Sequence, residues 1–464
     1  MNRNTLFEQP KINAPFVGIL ILFTTICALN IPILITLWRH GFDDGTYSHA
    51  FLIPFISLYL YYELAQSGKL RFREKFAVLP TILLLLSCYL LFITSNAQIS
   101  IGYWLAFLAV SITSVTMVYR FNWYVVFPAA FLIFIFPFWG VLVPLLQNIS
   151  VAAVTYMMSF TGVPTYVEAE MITIPAGVFE IADGCSGLRY MIVSLAIGSL
   201  FIFLNIRDTK RAALFLTITI LGALLTNWIR ITALILIGEY TNMESSLMED
   251  HNTFGWYLYV PFMILLFVWG NKLSEVSSIA HKENEADINK VSPNKTVILC
   301  FIALIVTSST ALNVFLSSDI KTVASNSENI VKPNIIYYSS VKNTLLPNHP
   351  AINYSIYNFN GADLDGKPTF YANSLIPEGW SLEAQTEMNN WLIYTIYRGS
   401  KRALVFVKYE IADQTSTNTT EFKVKRLLNA LIGINNTKLH WLFISCENNC
   451  AEKIVKIQTL IRDL

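Results

Sequence analysis

Residues 212–238 read AALFLTITILGALLTNWIRITALILIG, and Arg230 is the single formal charge in the run. A membrane-spanning helix needs about 20 mostly apolar residues, so this run is long enough to cross a bilayer. Arg230 stands eight residues before Gly238, which at a rise of 1.5 Å per residue is ~12 Å below that end of the span. A guanidinium at such depth costs at least ~2.5 kcal/mol on insertion scales, and intramembrane charges mark function by default. Arg230 therefore has to face a bundle interior or a wet cavity, its head reaching outward along its stem. Asn227 lies one turn earlier on the same face and is placed to hold it. The plainer reading is a structural ion pair with an acidic loop residue.

The rest of the chain has the same character. Of its 464 residues 54% are hydrophobic and 14% charged, against about 25% charged in an ordinary soluble domain. Mean hydropathy is +0.50. Further apolar runs lie near 16–38, 50–65, 76–93, 100–118, 122–145, 185–205, 252–270 and 296–316, nine with the first. Pro128, Pro137 and Pro144 fall within 122–145, so that run is expected to be bent or broken. The first run ends at Trp38-Arg39-His40 without a small-x-small site, and reads as a span rather than a cleaved leader. Basic residues sit in alternate segments: Arg3 and Lys11, Lys69 to Lys75, Arg120, Arg207 to Arg211, and Lys272 to Lys295. The opposite loops, 39–49, 94–99, 146–184 and 239–251, hold acids such as Asp43, Asp44, Glu168, Glu180, Asp183, Glu239 and Asp250. By the positive-inside rule the N-terminus is cytoplasmic and the acidic loops face the other side.

The expected fold is an all-α polytopic membrane helical bundle, with about eight core spans plus one tether span, followed by a C-terminal α+β soluble domain. The boundaries read as a transmembrane domain over 1–270, a polar cytoplasmic linker over 271–295, a ninth span over 296–316 and a periplasmic domain over 317–464. Within 164–181, alternating residues either side of Pro175-Ala176-Gly177 predict a hairpin of two short strands. Past 317 strands are expected at Ile335–Tyr338, Trp391–Tyr397, Ala403–Val407 and Trp441–Ser445. A helix over 421–433 places Val424, Leu427, Leu428 and Leu431 on one face, and a last helix aligns Ile454, Ile457, Ile461 and Leu464. There is no internal repeat. A net charge of +1 gives no reason to invoke a nucleic-acid partner. Cys27, Cys88 and Cys300 lie in apolar runs, where cysteine behaves as a small hydrophobe. No CxxC pair occurs, and Cys446 and Cys450 are placed to form a small surface disulfide on the oxidising side.

Three segments carry chemistry, and the topology brings all three to one membrane face. In Ala182-Asp-Gly-Cys-Ser-Gly-Leu-Arg-Tyr190, Cys185 opens the sixth span, with Arg189 at i+4 and Ser186 beside it. A helix N-terminus and a nearby guanidinium both favour the thiolate, the reactive form; Asp183 and Glu180 oppose the shift. Gly184 and Gly187 bracket the thiol and let a substrate backbone approach. The bland alternative is an inert buried thiol. The second segment is Thr226-Asn-Trp-Ile-Arg-Ile-Thr232, with Arg230 able to stabilise an oxyanion. In the third, Asp250-His-Asn-Thr-Phe-Gly-Trp256, His251 opens the eighth span and has the side chain best suited to proton transfer near neutral pH. Its bland alternative is an interfacial histidine beside an aromatic belt. A fourth segment, Asp44 to Pro54, holds His49, an alternative proton carrier; the preferred reading there is a helix start capped by Ser48. No metal-ligand spacing is present and no cofactor is expected.

Tyr47-Ser-His-Ala-Phe-Leu-Ile-Pro54, Gly-Cys-Ser-Gly-Leu-Arg around Cys185, Asn227-Trp-Ile-Arg230 and His251 to Trp256 resemble, in order and spacing, the motifs of the exosortases, bacterial counterparts of the archaeosortases. The likeness covers roughly 16–270. It implies a Cys185, Arg230, His251 site in a bacterial inner membrane, with the site on the periplasmic face. It implies exported protein substrates with a C-terminal sorting signal: a Pro-Glu-Pro-like motif, one transmembrane helix and a basic tail. It further implies an association with polysaccharide-assembly proteins. The competing reading of the same residues is a membrane component of exopolysaccharide assembly or export without peptidase activity, which also uses many spans and an intramembrane Arg but has no need of the Cys and His pair. Residues 317–464 resemble only weakly the extracytoplasmic extension that some exosortases carry.

Overall fold

The computed structural model describes residues 13–42, 46–249, 251–274, 293–310, 331–345, 352–446, 450 and 453–454. The central part of the expected linker, the end of the ninth apolar run and the expected last helix lie outside them. Two compact units emerge. One runs to Phe23 and comprises Leu37–Phe76 and Ser114–Val297; the other comprises Thr24–Thr36, Ala77–Thr113 and the chain from Ile298 onward.

The protein is a multi-pass membrane helical bundle followed by an α+β domain. The first apolar run is not one straight span. Helices α1 (Ala14–Leu29) and α2 (Ile31–Phe42) meet at Asn30 with a bend of 84°. The cause is local: Pro32 has no N–H to continue the ladder, and the Asn30 amide donates to Ile26 O at 2.9 Å. Next come α3 (Leu52–Gln66), α4 (Val78–Asn96) and α5 (Ser100–Val118). The run 122–145 is broken, as its prolines predict. Helix α6 (Trp123–Phe131) tightens to a 3₁₀ turn, Leu132–Ile135, and the chain becomes extended at Phe136, ahead of Pro137. It resumes through a second 3₁₀ turn, Pro137–Leu142, into α7 (Val143–Met158).

Residues 146–158 are therefore helical and not part of an outer loop. Their polar content disguised a stripe, Leu146, Ser150, Val154 and Met158, buried at a spacing of four. Among the described residues six helices are long and apolar enough to span a membrane, or seven if the bent α1–α2 pair counts as one crossing. Of the other expected spans, α3 is 15 residues long and α6 is cut short by its prolines, while α12 (Lys295–Ser308) covers the described part of the ninth, whose end lies outside the described residues.

Helices α8 (Leu188–Asn205), α9 (Thr209–Tyr240) and α11 (His251–Leu273) pack closely around the last motifs, with the short α10 (Ser246–Glu249) between the latter two. Small residues allow this, as membrane packing requires: a Cβ at Gly222 on α9 would collide with the Phe262 ring of α11. Between α7 and α8 lies a three-stranded antiparallel sheet, β1 (Tyr166–Glu168), β2 (Met171–Ile174) and β3 (Gly177–Glu180). It contains the expected hairpin and adds a strand. The Ala176 N–H donates to Glu239 Oε2 at 3.0 Å, which ties the hairpin to the end of α9.

In the other unit the C-terminal domain is a seven-stranded antiparallel sheet. The strands are β4 (Ser340–Leu345), β5 (Ile352–Phe359), β6 (Ser381–Met388), β7 (Trp391–Arg398), β8 (Lys401–Ile411), β9 (Gln414–Ser416) and β10 (Thr437–Cys446), in the order β4-β5-β10-β8-β7-β6 with β9 on β8. Three of the expected strands match β7, β8 and β10. The fourth does not: 335–338 carries no strand, and the chain enters the sheet at Ser340 instead. Helix α13 (Thr419–Ala430), capped by Asn418, lies on one sheet face with Phe422 in the core. The predicted apolar face is present, but it is turned away from the sheet. Phe422, Arg426, Asn429 and Ala430 are buried, whereas Val424, Leu427, Leu428 and Leu431 are exposed. Cys446 and Cys450 form a disulfide.

The turn between α4 and α5 belongs to the same unit and is bonded to the domain. Gln98, in the left-handed region at φ 52°, donates from Nε2 to Asp363 O and Gly366 O, each at 2.8 Å. Lys367 Nζ donates back to Gln98 O at 2.8 Å.

A buried polar chain crosses the sheet. Tyr354 OH meets His440 Nδ1 at 2.6 Å, His440 Nε2 meets Glu410 Oε2 at 2.6 Å, and Lys438 Nζ reaches Glu410 Oε1 at 2.6 Å. Burial holds the His440 pKa below its ordinary 6.5 despite the carboxylate. Burial also works to raise Glu410, but hydrogen bonds from Lys438 and His440 outweigh it and hold the group below 4.5. Both shifts favour the folded domain at high pH, because the unfolded chain binds the extra protons. The domain is therefore expected to melt at lower temperature as pH falls through 6.5, and lower again below 4.5, followed by the fluorescence of Trp391 and Trp441 in the full chain. His440→Gln should flatten the upper step and keep the lower one. Stability rising on acidification would contradict this assignment.

Candidate active site

The segment 182–188 is held in shape from outside. Asp183–Cys185 forms a single 3₁₀ turn, with Cys185 N–H donating to Ala182 O at 2.8 Å. Gly187 then takes φ 91°, and α8 starts at Leu188. Glycine is required twice over at this position. An L side chain is strained at that φ, and a Cβ would lie 3.0 Å from the Asn227 amide nitrogen. The left-handed residue also overturns one expectation: Cys185 is not on the helix of Arg189, so their spacing of four does not align them on a face.

Two carbonyls of this loop are fastened to neighbouring helices. Asn227 Nδ2 on α9 donates to Cys185 O at 2.9 Å. Ser150 Oγ on α7 donates to Ser186 O at 3.1 Å and accepts from Trp228 Nε1 at 3.1 Å. Ser186 is buried, and its hydroxyl receives the Leu188 N–H at 3.4 Å.

Arg230 is 4% exposed. Its Nη2 lies 3.6 Å from Cys185 Sγ, and its Nη1 lies 3.4 Å from both Asn227 Oδ1 and Tyr190 OH. The guanidinium carbon is 5.6 Å from the Tyr190 ring centre, within cation–π range. No carboxylate pairs with Arg230 among the described residues, so the ion-pair reading has no partner there. Helix α11 comes close at Gly255, where a Cβ would strike Tyr190 OH and approach Arg230 Cδ at 3.3 Å.

A cavity of about 480 Å³ opens beside these groups. Ser48, His49, Arg189, Tyr190 and Arg230 form its polar end, with Gly184 on the wall; Leu52, Ile56, Val193 and Leu200 continue it as an apolar cleft. A Cβ at Gly184 would meet nothing within 4 Å, so the loop is open there, as an approaching backbone requires. Tyr47, not Ser48, holds the cap position of the turn Ser48–Phe51, contrary to the expected role of Ser48. His49 instead faces the cavity, its Nε2 3.2 Å from Phe134 O. That carbonyl is free because the residue three positions on is Pro137, which has no N–H. A carbonyl only accepts, so Nε2 carries the hydrogen, and Nδ1 remains the acceptor, without a partner among the described residues. His251 opens α11, but its side chain lies outside the described residues.

Arg230 and His49 line one cleft; the half-buried Cys185 thiol is outside that lining but touches Arg230 and adjoins Gly184 of the wall. Among the described residues no three His, Cys, Asp or Glu side chains cluster as a metal would need. Sequence reasoning missed Tyr190, Ser150 and Trp228. Tyr190 and Trp228 stand within quoted segments but were given no role; Ser150 carried no signal, because its segment read as a loop.

Residues 38–268 match the family described as transmembrane exosortase. No curated protein and no solved structure matches the chain.

Gly187→Ala is expected to cost the loop ~1–2 kcal/mol from backbone strain and to push Asn227 off Cys185 O. Asn227→Leu should free the same carbonyl and leave Arg230 without its neighbour. Both variants should insert normally while alkylation of Cys185, read by peptide mass spectrometry, changes from the wild-type rate. Wild-type alkylation in both would show that the loop does not depend on this clamp.

Proposed function

Because residues 38–268 belong to the transmembrane exosortase family, we propose that the chain is a membrane cysteine peptidase or transpeptidase that cuts the C-terminal sorting signals of exported proteins through a thioester on Cys185. The observation that carries this reading is the guanidinium of Arg230, which lines the cleft, lying 3.6 Å from the Cys185 sulfur. In the proposed reaction the Cys185 sulfur attacks the scissile carbonyl carbon and the C–N bond breaks. Arg230 receives the charge that develops on the carbonyl oxygen, from a site too buried for water to screen it. The departing amine takes the proton that the thiol gave up, carried by His251 or His49. The acyl group then passes from sulfur to an acceptor.

The proposed substrates are exported proteins ending in a Pro-Glu-Pro-like motif, a transmembrane helix and a basic tail, with polysaccharide-assembly proteins as associates; the family match supports this class. The apolar part of the cleft, along Val193 and Leu200 of α8 and Leu52 and Ile56 of α3, suits a segment entering from lipid. We place the protein in a bacterial inner membrane with a cytoplasmic N-terminus, and the site and C-terminal domain in the periplasm. The distribution of Lys and Arg supports this orientation, as does the bonding of the C-terminal domain to the α4–α5 turn, an expected outer loop. Residues 1–270 would form the catalytic domain, 271–295 the linker, 296–316 the tether and 317–464 the periplasmic domain.

Cys185→Ala should leave insertion intact and abolish processing, with unprocessed substrate accumulating, as read by mass spectrometry of the substrate's C-terminus. Arg230→Lys keeps a charge but loses the planar fork, and should lower turnover ~10²-fold, the usual loss for one oxyanion donor. His49→Gln and His251→Gln, assayed side by side, should reveal the proton carrier as the one whose loss removes the pH dependence. Normal processing by Cys185→Ala would end this proposal.

A further inference from the structure

Helix α13 is built inside out for a helix of a water-soluble domain. Such helices bury the apolar stripe and show water the polar one. Here Val424, Leu427, Leu428 and Leu431 recur at i, i+3, i+4 and i+7 and are 52%, 38%, 59% and 46% exposed. Ile432, just beyond, is 74% exposed. The inward side carries Arg426 and Asn429. Arg426 is committed there: Nη1 lies 3.4 Å from Thr369 Oγ1 and Nη2 lies 3.5 Å from Gln98 O. The helix therefore cannot roll its leucines inward without burying an unpaired guanidinium, which is the costlier exchange.

The stripe also has a definite address. Within the same unit the end of α13 sits against α4, a candidate membrane span. Ala430 packs with Ile93 of α4 and with Ala97 just beyond its end, and Gly433 lies beside Phe92. Phe92 precedes the last residue of α4, Asn96, by four positions, about one helical turn. Leu431 and Ile432 thus stand level with the last turn of a spanning helix. That helix's own outward residues, Leu83, Leu86 and Leu90, are 42%, 52% and 44% exposed. The exposed apolar surface of α13 continues the lipid-facing surface of α4.

We propose that α13 is an interfacial helix, with Val424, Leu427, Leu428, Leu431 and Ile432 seated in the acyl boundary of the leaflet that α4 reaches with its C-terminal end. The occupant of the face is lipid. The C-terminal domain is then held at the membrane surface by its own apolar stripe, in addition to its bonds to the α4–α5 turn. Lys423, exposed beside the stripe, has the flexible stem that lets an ammonium reach the headgroups from such a position.

The test uses the full chain in phosphatidylcholine–phosphatidylglycerol vesicles, with two labels mapped by peptide mass spectrometry. A lipid-borne diazirine should insert into 424–432 as it does into the outward face of α4, and hydroxyl radicals from water should leave these side chains unoxidised. Radical oxidation without lipid labelling would overturn the proposal. So would protection from both labels, which would mean that a second copy or another protein covers the stripe. Leu428→Ser with Leu431→Ser retains the buried side of the helix and should reduce lipid labelling of the remaining stripe several-fold. Unchanged labelling in that variant would also count against the proposal.

Discussion

A guanidinium inside an apolar helix has to be satisfied by whatever surrounds it, and most of the candidate site can be read as the answer to Arg230. Water is excluded at 4% exposure, so the donors turn to protein groups. Asn227 supplies an oxygen one turn away, Tyr190 a hydroxyl and a ring face, and Cys185 a sulfur. Each partner is in turn fixed by another residue. Asn227 uses its amide nitrogen on Cys185 O, Gly187 turns the chain to admit it, and Gly255 gives Tyr190 room. Groups from three helices thus depend on one charge that would be costly to leave alone. The price of burial becomes positional accuracy at the sulfur.

Backbone breaks do related work elsewhere. A helix in lipid satisfies its own N–H and C=O groups, and irregular backbone is tolerated only where protein or a cavity replaces the lost bonds. Prolines create such places here. The break at Phe136 and Pro137 leaves Phe134 O for His49, and Ser57 Oγ on α3 donates to Pro128 O at 2.7 Å. At Asn30, beside Pro32, the side-chain oxygen accepts the Thr310 N–H at 3.1 Å. Phe134 O is the acceptor that a missing proline N–H frees, and the other two stand beside or on prolines; all three hold neighbouring segments.

The second unit follows a different logic. Its sheet has a conventional apolar core around Trp441, Phe443, Tyr409 and Phe422. The junction with the α4–α5 turn is polar and buried, with Gln98 on the turn and Lys367 and Arg426 on the domain as its principal members. Burial lowers the Lys367 pKa to about 8, with Arg426 adding to the effect. Polar groups at that junction displace the leucines of α13 to the opposite side, which is why the helix reads as ordinary in sequence and unusual in place.

The sequence by itself determined what depends on short stretches of chain. Long apolar runs with few charges dictate helices in lipid, alternation around Pro175-Ala176 dictates a hairpin, and Arg230 with Asn227 one turn apart dictates a shared face, because period and rise are properties of the local backbone. The motif order also carried the family, which the match over 38–268 shows. Tertiary structure decided what depends on partners distant in the chain. Cys185 and Arg189 looked like helical neighbours until Gly187 broke the register, since a left-handed residue is set by the Asn227 contact it must accommodate. Residues 146–158 looked like loop, since a stripe at spacing four gains meaning only when another helix covers it. His49 looked like the start of a helix, and only packing placed it on the cleft wall. The shared face of α13 was legible but its direction was not, for the same reason: amphipathicity fixes which side chains travel together, while the environment, protein or lipid, fixes which way they point.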